Sequence, residues 1–175
     1  MRKVLLIAAV FLTLVGCGSD TDFVKNGTMN FNSTITVGKA LDSWKSCEES
    51  GWEEFKTDNG VRVVQFSCQH RIGQFFTEMK SLLSESDRAE VDHLDVIANV
   101  QTFQFTLNQD DTFQIDNVQV KTTWMDGTSF KDSQEPIEQL EMVYANQLSF
   151  EPDELDSTVA AQIYYLFMVI KANAS

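Results

Sequence analysis

Residues 101–124 read QTFQFTLNQDDTFQIDNVQVKTTW, and no other stretch narrows the fold so far. Phe103, Phe105 and Leu107 alternate, which places all three on one face of an extended strand. NQDD at 108–111 supplies turn residues, and Phe113 and Ile115 resume the alternation. The phase then slips by one at Asp116 and Asn117, so that Val118, Val120 and Trp124 have the other parity. A slip of one residue is what a β-bulge produces. The stretch therefore predicts an antiparallel hairpin whose apolar face needs a cover.

A second hairpin is predicted in WEEFKTDNGVRVVQFSCQ, with DNG at 58–60 as its turn. Val64, Phe66 and Cys68 share one face of its second strand, and Val61 and Val63 the other. Upstream, TVGKALDSWKSCEES predicts a helix capped by Thr36, with Val37, Ala40, Leu41, Trp44 and Cys47 at helical spacing and Gly51 as its stop. IGQFFTEMKSLLSESDR predicts a second helix through Ile72, Phe75, Phe76, Met79, Leu82 and Leu83. SDRAEVDHLDVIANV predicts a third, capped near Ser86 and carrying Val91, Leu94 and Ile97. Pro136 suits the first turn of another, continued by Ile137, Leu140, Val143 and Tyr144. The eight apolar residues 163–170 fit a buried helix or a central strand, and the Ala-rich approach at 159–162 favours the helix. A helix apolar on all sides must be buried or pressed on a partner. The expectation is an α+β fold: an antiparallel sheet built from two hairpins with helices packed on one face, in a single domain over residues 31–175. Thirteen Phe, three Trp and three Tyr give it material for a core. Only two Pro and eight Gly argue against a low-complexity chain.

The first residues follow a different logic. Arg2 and Lys3 precede thirteen uncharged residues, 4–16, the pattern of a secretory signal peptide. The run is shorter than the roughly 20 apolar residues a spanning helix needs. It ends in LVGC at 14–17, which resembles the lipobox of bacterial lipoproteins. The resemblance implies that Cys17 receives a diacylglycerol, that the chain is cut before it and that the new amino terminus is acylated. Residues 1–16 are then the signal peptide, and residues 17–30 the lipidated cysteine with a polar tether. Stable anchoring takes more than one acyl chain, which this modification supplies. Gly18, rather than an acid, after the cysteine implies an outer-membrane address on the periplasmic side.

Loss of residues 1–16 removes Arg2 and Lys3, leaving 11 of the 13 Lys+Arg against 26 Asp+Glu, a formal charge of −15. Such a balance argues against nucleic acid, whose binding rests on cationic contacts to phosphate. It also argues against docking on anionic lipid through a basic face. A basic partner or plain solubility would each account for the charge. With Cys17 lipidated, Cys47 and Cys68 remain, and an even count in an oxidising envelope favours a disulfide over two buried thiols. Closing that loop would stabilise the fold by about 3 kcal/mol in the chain-entropy model.

Catalytic signals are thin. His70 follows a strand, and His93 sits among Asp87, Glu90, Asp92 and Asp95, where helical spacing does not bring Asp92, His93 and Asp95 onto one face. The acid-rich NQDDTFQIDNVQ has Phe113 and Gln119 where a calcium loop needs Gly and Glu. No GxSxG elbow or phosphate-binding loop occurs. No catalytic residue, cofactor or metal is expected. Residues 36–68, with TVGKALDSW, WEEF and DNGVRVVQF, together with the FQFTLNQDDTFQIDNVQ hairpin, are similar to a domain of uncharacterised Gram-negative envelope lipoproteins. The order of helix and hairpin also resembles small outer-membrane lipoproteins related to the β-lactamase-inhibitor-protein fold. Both resemblances imply protein contacts rather than chemistry. The expected function is a non-catalytic module that binds another envelope protein as an assembly accessory, inhibitor or immunity-type factor. The competing readings are an envelope hydrolase using a carboxylate pair on cell-wall glycan, and a carrier of a small apolar ligand.

Overall fold

The computed structural model describes residues 18–91 and 95–174. Its centre is a five-stranded antiparallel sheet in the order β3-β4-β5-β6-β7, each strand paired with its neighbour in sequence. The strands are β3 (Cys47–Lys56), β4 (Arg62–His70), β5 (Val96–Leu107), β6 (Phe113–Trp124) and β7 (Ser129–Gln134). A small antiparallel pair, β1 (Thr28–Met29) and β2 (Asn32–Thr36), stands apart from it. The α+β class and the antiparallel sheet built on two hairpins are as expected. The sheet gains a fifth strand, β7, folded back by a turn in which Gly127 takes φ +85, a conformation costly for other residues. Gly60 does the same, at φ +79, between β3 and β4.

The bulge lies where the parity slips. Gln104 pairs with Asn117 and Phe105 with Ile115, leaving Asp116 unmatched. That extra residue lets Phe113 and Ile115 before it share a face with Val118 and Trp124 after it. Every large buried apolar side chain of β4, β5 and β6 except Val63 lies on that face.

Six α-helices are present among the described residues: α1 (Asp20–Asn26), α2 (Val37–Asp42), α3 (Gly73–Leu82), α4 (Glu85–Val91), α5 (Pro136–Tyr144) and α6 (Ser157–Ala172). At one end of the sheet face, Val24 of α1, Val37, Ala40 and Leu41 of α2 and Leu140 and Val143 of α5 pack on Val64, Phe66, Phe103, Phe105 and Val118. At the other end, Phe75, Phe76 and Met79 of α3 pack with Ala160, Tyr164 and Phe167 of α6 around Trp124. Hydrogen-bonded polar side chains on the same face separate the two clusters, with Asn99 Nδ2 donating to Thr122 Oγ1 at 2.9 Å as one pair.

Three expectations are corrected. The helix predicted from Thr36 to Gly51 is capped by Thr36 as expected, its Oγ1 accepting the Lys39 N–H at 3.2 Å, but it ends at Asp42. Residues 47–56 are strand β3, and Gly51 lies within it. The cause is tertiary: β4 offers a free edge along its whole length, and pairing it satisfies more backbone groups than two further helical turns would. Of the third predicted helix, Glu85–Val91 is helical, but Ile97, expected on it, lies in β5 opposite the end of β6; Leu94 is outside the described residues. The tether expected before residue 31 is structured: Ser19 caps α1 by accepting the Asp22 N–H at 3.0 Å, and Val24 is fully buried. The C-terminal segment is a helix, α6, though only part of its circumference is covered.

Candidate functional site

The sheet end where β3 begins and β4 finishes holds the densest polar chemistry in the core. Cys47 and Cys68 form a disulfide with Cα atoms 5.3 Å apart, as the cysteine count predicted. Helical spacing after Thr36 predicts Cys47 on a helix, and the structure places it on a strand. Both cysteines lie on neighbouring strands, Cys47 opposite His70 and Ser50 opposite Cys68, so strand pairing rather than helix-on-sheet packing brings them together.

His70, 2% exposed, stands beside the disulfide, its Nδ1 3.9 Å from Cys68 Sγ. Its Nδ1 lies 2.8 Å from Ser46 Oγ and its Nε2 2.9 Å from Gln101 Oε1. Gln101 Nε2 donates onward to Gln139 Oε1 at 3.0 Å. That direction leaves Gln101 Oε1 as acceptor, so His70 carries its proton on Nε2 and accepts the Ser46 hydroxyl proton at Nδ1. Ser46 Oγ in turn accepts the Ser149 N–H at 3.1 Å. Burial pushes the His70 imidazole below its ordinary value, while the side-chain hydrogen bond to Gln101 and the backbone of Ser46 act in the opposite sense.

A neutral imidazole against a serine hydroxyl is also the pairing that activates nucleophiles. Here Ser46 is only 4% exposed, and its oxygen is engaged by Ser149. The third member is an amide, which cannot balance an imidazolium as a carboxylate does. The arrangement fastens the 146–150 loop to the sheet. Trp44 Nε1 donates to Gln147 O at 2.7 Å, and the Lys45 N–H donates to Asn146 Oδ1 at 3.0 Å, at the same junction. Above it opens a cleft of about 470 Å³ with Lys45, Glu48, Arg71, Phe75, Phe150 and Asp153 among its walls. The walls alternate in sign and converge on no single reacting atom.

A second surface is chemically plainer. On α6 the outer residues Tyr165, Leu166 and Val169 are 71%, 56% and 50% exposed. Lys171 is the only charged residue of this helix, and its Nζ is 2.9 Å from Asp126 Oδ2 on the β6–β7 turn. The outer face is therefore apolar and uncharged on an otherwise acidic chain.

Cys17 and His93 lie outside the described residues. Asp95, grouped with His93 by sequence, is ion-paired with Lys80. No group of three or more His, Cys, Asp or Glu stands together as metal ligands among the described residues. Ser46, Gln101 and Gln139 are the residues that sequence reasoning missed. One signal was available: Asn99 and Gln101 extend backwards the parity of Phe103, Phe105 and Leu107, so polar residues occupy core-facing positions of a strand.

Fold and site together define an α+β domain with an antiparallel meander sheet covered by helices on one face. No family model, curated protein or solved structure matches the chain.

Proposed function

We propose that the chain is a lipid-anchored, non-catalytic module of the bacterial outer membrane that faces the periplasm and binds another envelope protein. The observation that carries this reading is the outer face of α6. Contiguous exposed apolar surface marks contact sites on soluble domains. Interface centres are depleted of charge and enriched in aromatic side chains, as Tyr165 and its neighbours are. On a chain of net charge −13, a helix with one charged residue, itself paired, presents a surface poorly suited to water.

The position of that face supports the same reading. Gly18 borders a small cavity with Arg62, Leu107 and Asn108, at the end of the sheet where β4 starts and β5 finishes. The α6 helix packs at the opposite end, beside Trp124 and the β6–β7 turn. The twelve residues of β5 separate the ends by about 40 Å. A lipid on Cys17 would therefore hold α6 at the end of the sheet far from its own bilayer.

The test is affinity capture from envelope extract with residues 18–175 as wild type and as the Leu166→Glu, Val169→Glu double variant, both checked for unchanged melting. A protein retained by the wild type and lost by the variant supports the reading. Identical captured sets overturn it. The anchor is tested separately by Cys17→Ser, expected to abolish the lipid mass and release the chain from the membrane fraction.

A further inference from the structure

The face of the sheet turned away from the helix-covered core carries only Val63 among the buried apolar side chains of β4, β5 and β6, and it is electrically polarised. Strand register defines a row running straight across all five strands: Glu49, Gln69, Val100, Lys121 and Lys131, each directly opposite the next. The flanking residues Cys68, His70 and Thr122 are buried beneath the helices, so this row lies on the open side. Lys121 and Lys131 form a cross-strand pair of like charge, which is unfavourable in isolation. Neither makes an ion pair among the described residues. On this chain of 26 acids and 13 bases, two lysines therefore stand together without a carboxylate while Glu49 stands free at the other margin of the same row.

Between the margins the face carries little charge. Strands β4 and β5 contribute only apolar, amide and hydroxyl side chains, and two amide bonds tie it from strand to strand: Gln104 Nε2 donates to Gln65 Oε1 at 2.7 Å, and Asn117 Nδ2 to Gln104 Oε1 at 3.1 Å. Glu53 at the β3 margin is held by Gln65 Nε2 at 2.6 Å, and Asp116 of the bulge by Gln114 Nε2 at 2.7 Å. Such a surface is rigid, polar and nearly neutral at its centre, with acid on one side and base on the other.

We propose that this face binds a second copy of the chain, sheet against sheet, about a two-fold axis that runs along the central strand β5. That axis exchanges the two margins. It sets Glu49 of one copy against Lys131 of the other and Gln69 against Lys121, with the Val100 residues meeting near the axis. The contact is isologous and closes at two copies. A two-fold axis across the strands would instead put lysine against lysine and acid against acid, and the charge pattern rejects it. Five strands about 4.8 Å apart and roughly eight residues along each at about 3.3 Å give a face of about 24 by 26 Å. That is about 600 Å² in projection, near the roughly 800 Å² per partner of specific interfaces.

The same axis agrees with the position of the amino terminus. Rotation about the strand direction keeps both α1 ends at one end of the pair, and only Gly18 and Ser19 separate α1 from residue 17. Both copies can then be anchored in one bilayer, with both α6 faces at the far end; this part rests on the reading of Cys17 as the lipidated residue. Shared anchoring also raises the effective concentration of each copy for the other.

Sedimentation equilibrium of residues 18–175 tests the pairing without the lipid, since all described elements lie within that fragment. The wild type is expected to dimerise at low salt below about 100 µM, with the dimer weakened by added salt. Glu49→Lys and Lys131→Glu are each expected to weaken it tenfold or more with unchanged melting. The double variant is expected to recover it, and the two single variants, mixed, to form a heterodimer. A monomer throughout, a dimer indifferent to either reversal, or a double variant that stays monomeric overturns the proposal. Retention of the Cys17→Ser chain in the membrane fraction would overturn the anchor at Cys17, while the dimer of residues 18–175 stands or falls by sedimentation alone.

Discussion

One hydroxyl joins three parts of the molecule: Ser46 Oγ sits 2.8 Å from His70 Nδ1 and accepts the Ser149 N–H at 3.1 Å. The sheet, the loop before β3 and the loop after α5 meet at that atom. Ser46→Ala leaves a buried imidazole nitrogen without its partner and frees the Ser149 N–H, which costs about 1–3 kcal/mol. Denaturant unfolding of the variant should show that loss with an unchanged m-value.

His70 gives the same region a pH dependence. Burial lowers its folded-state value below the ordinary 6.5. A group whose folded value is depressed stabilises the fold at pH above its unfolded value, and that contribution is lost as pH falls from there towards the folded value. Melting temperature should therefore decline below about pH 6.5, and His70→Gln, which does not titrate, should flatten that part of the profile. A decline of equal slope in the variant would assign the effect to other groups.

The disulfide bridges residues 21 apart in sequence and ties the edge strand β3 to β4. In the chain-entropy model a loop of this length contributes about 3 kcal/mol. Only Cys47 and Trp52 of β3 are even half-buried, so beyond the backbone ladder the strand is held by Trp52 and by exposed hydrogen bonds such as those of Glu53 and Glu54. The Cys47→Ser, Cys68→Ser double variant should lose about 3 kcal/mol. Hydrogen exchange should localise the earliest opening to residues 47–56.

What was legible in the sequence follows from how local each signal is. The β5–β6 hairpin, its turn and its bulge could be read because period-two alternation and a one-residue slip are both written in adjacent residues. Residues 47–56 could not, because Trp44 and Cys47 fall at helical spacing and nothing local says that β4 needs an edge partner. The start of β5 was lost for the same reason: Val91 and Ile97 continue a helical pattern that pairing with β6 overrides. The disulfide was legible from a count, whereas the Ser46–His70–Gln101–Gln139 chain was not, since its four members come from four separate segments. The charge row on the open face depends on register across five strands, which no single segment encodes.

Trp124 sits fully buried between α3 and α6, and its indole Nε1–H has no hydrogen-bond partner among the described residues. An unpaired buried donor costs about 1–3 kcal/mol, and a large ring repays this through the area it covers. Trp124→Phe removes the donor while keeping an aromatic ring, so the two changes offset and the net effect should stay within about 1 kcal/mol. Trp124→Ala keeps neither and should cost about 3–5 kcal/mol. Thermal unfolding of the two variants separates the contributions. A Phe variant as unstable as the Ala variant would show that the smaller ring does not fill the Trp124 site.

Asp126 holds α6 to the β6–β7 turn. Its carboxylate accepts the Thr128 hydroxyl at 2.7 Å and backbone N–H at 3.0 Å, and its other oxygen meets Lys171 Nζ at 2.9 Å. The Thr128 hydroxyl, with the Lys171 ammonium, lowers its pKa from 3.8 to about 2. A carboxyl with a depressed folded value stabilises the fold above its unfolded value and loses that contribution as pH falls from 3.8 towards about 2. Protonation should therefore loosen the last turns of α6 first, since Lys171 is the only charged side chain that helix has with which to grip the sheet. Asp126→Asn should bring that loosening to neutral pH. It is read as faster amide exchange at residues 168–172 with little change in residues 157–164, which Tyr164 and Ala160 hold to α3. Uniform exchange along α6 in the variant would show that packing alone sets the position of the helix.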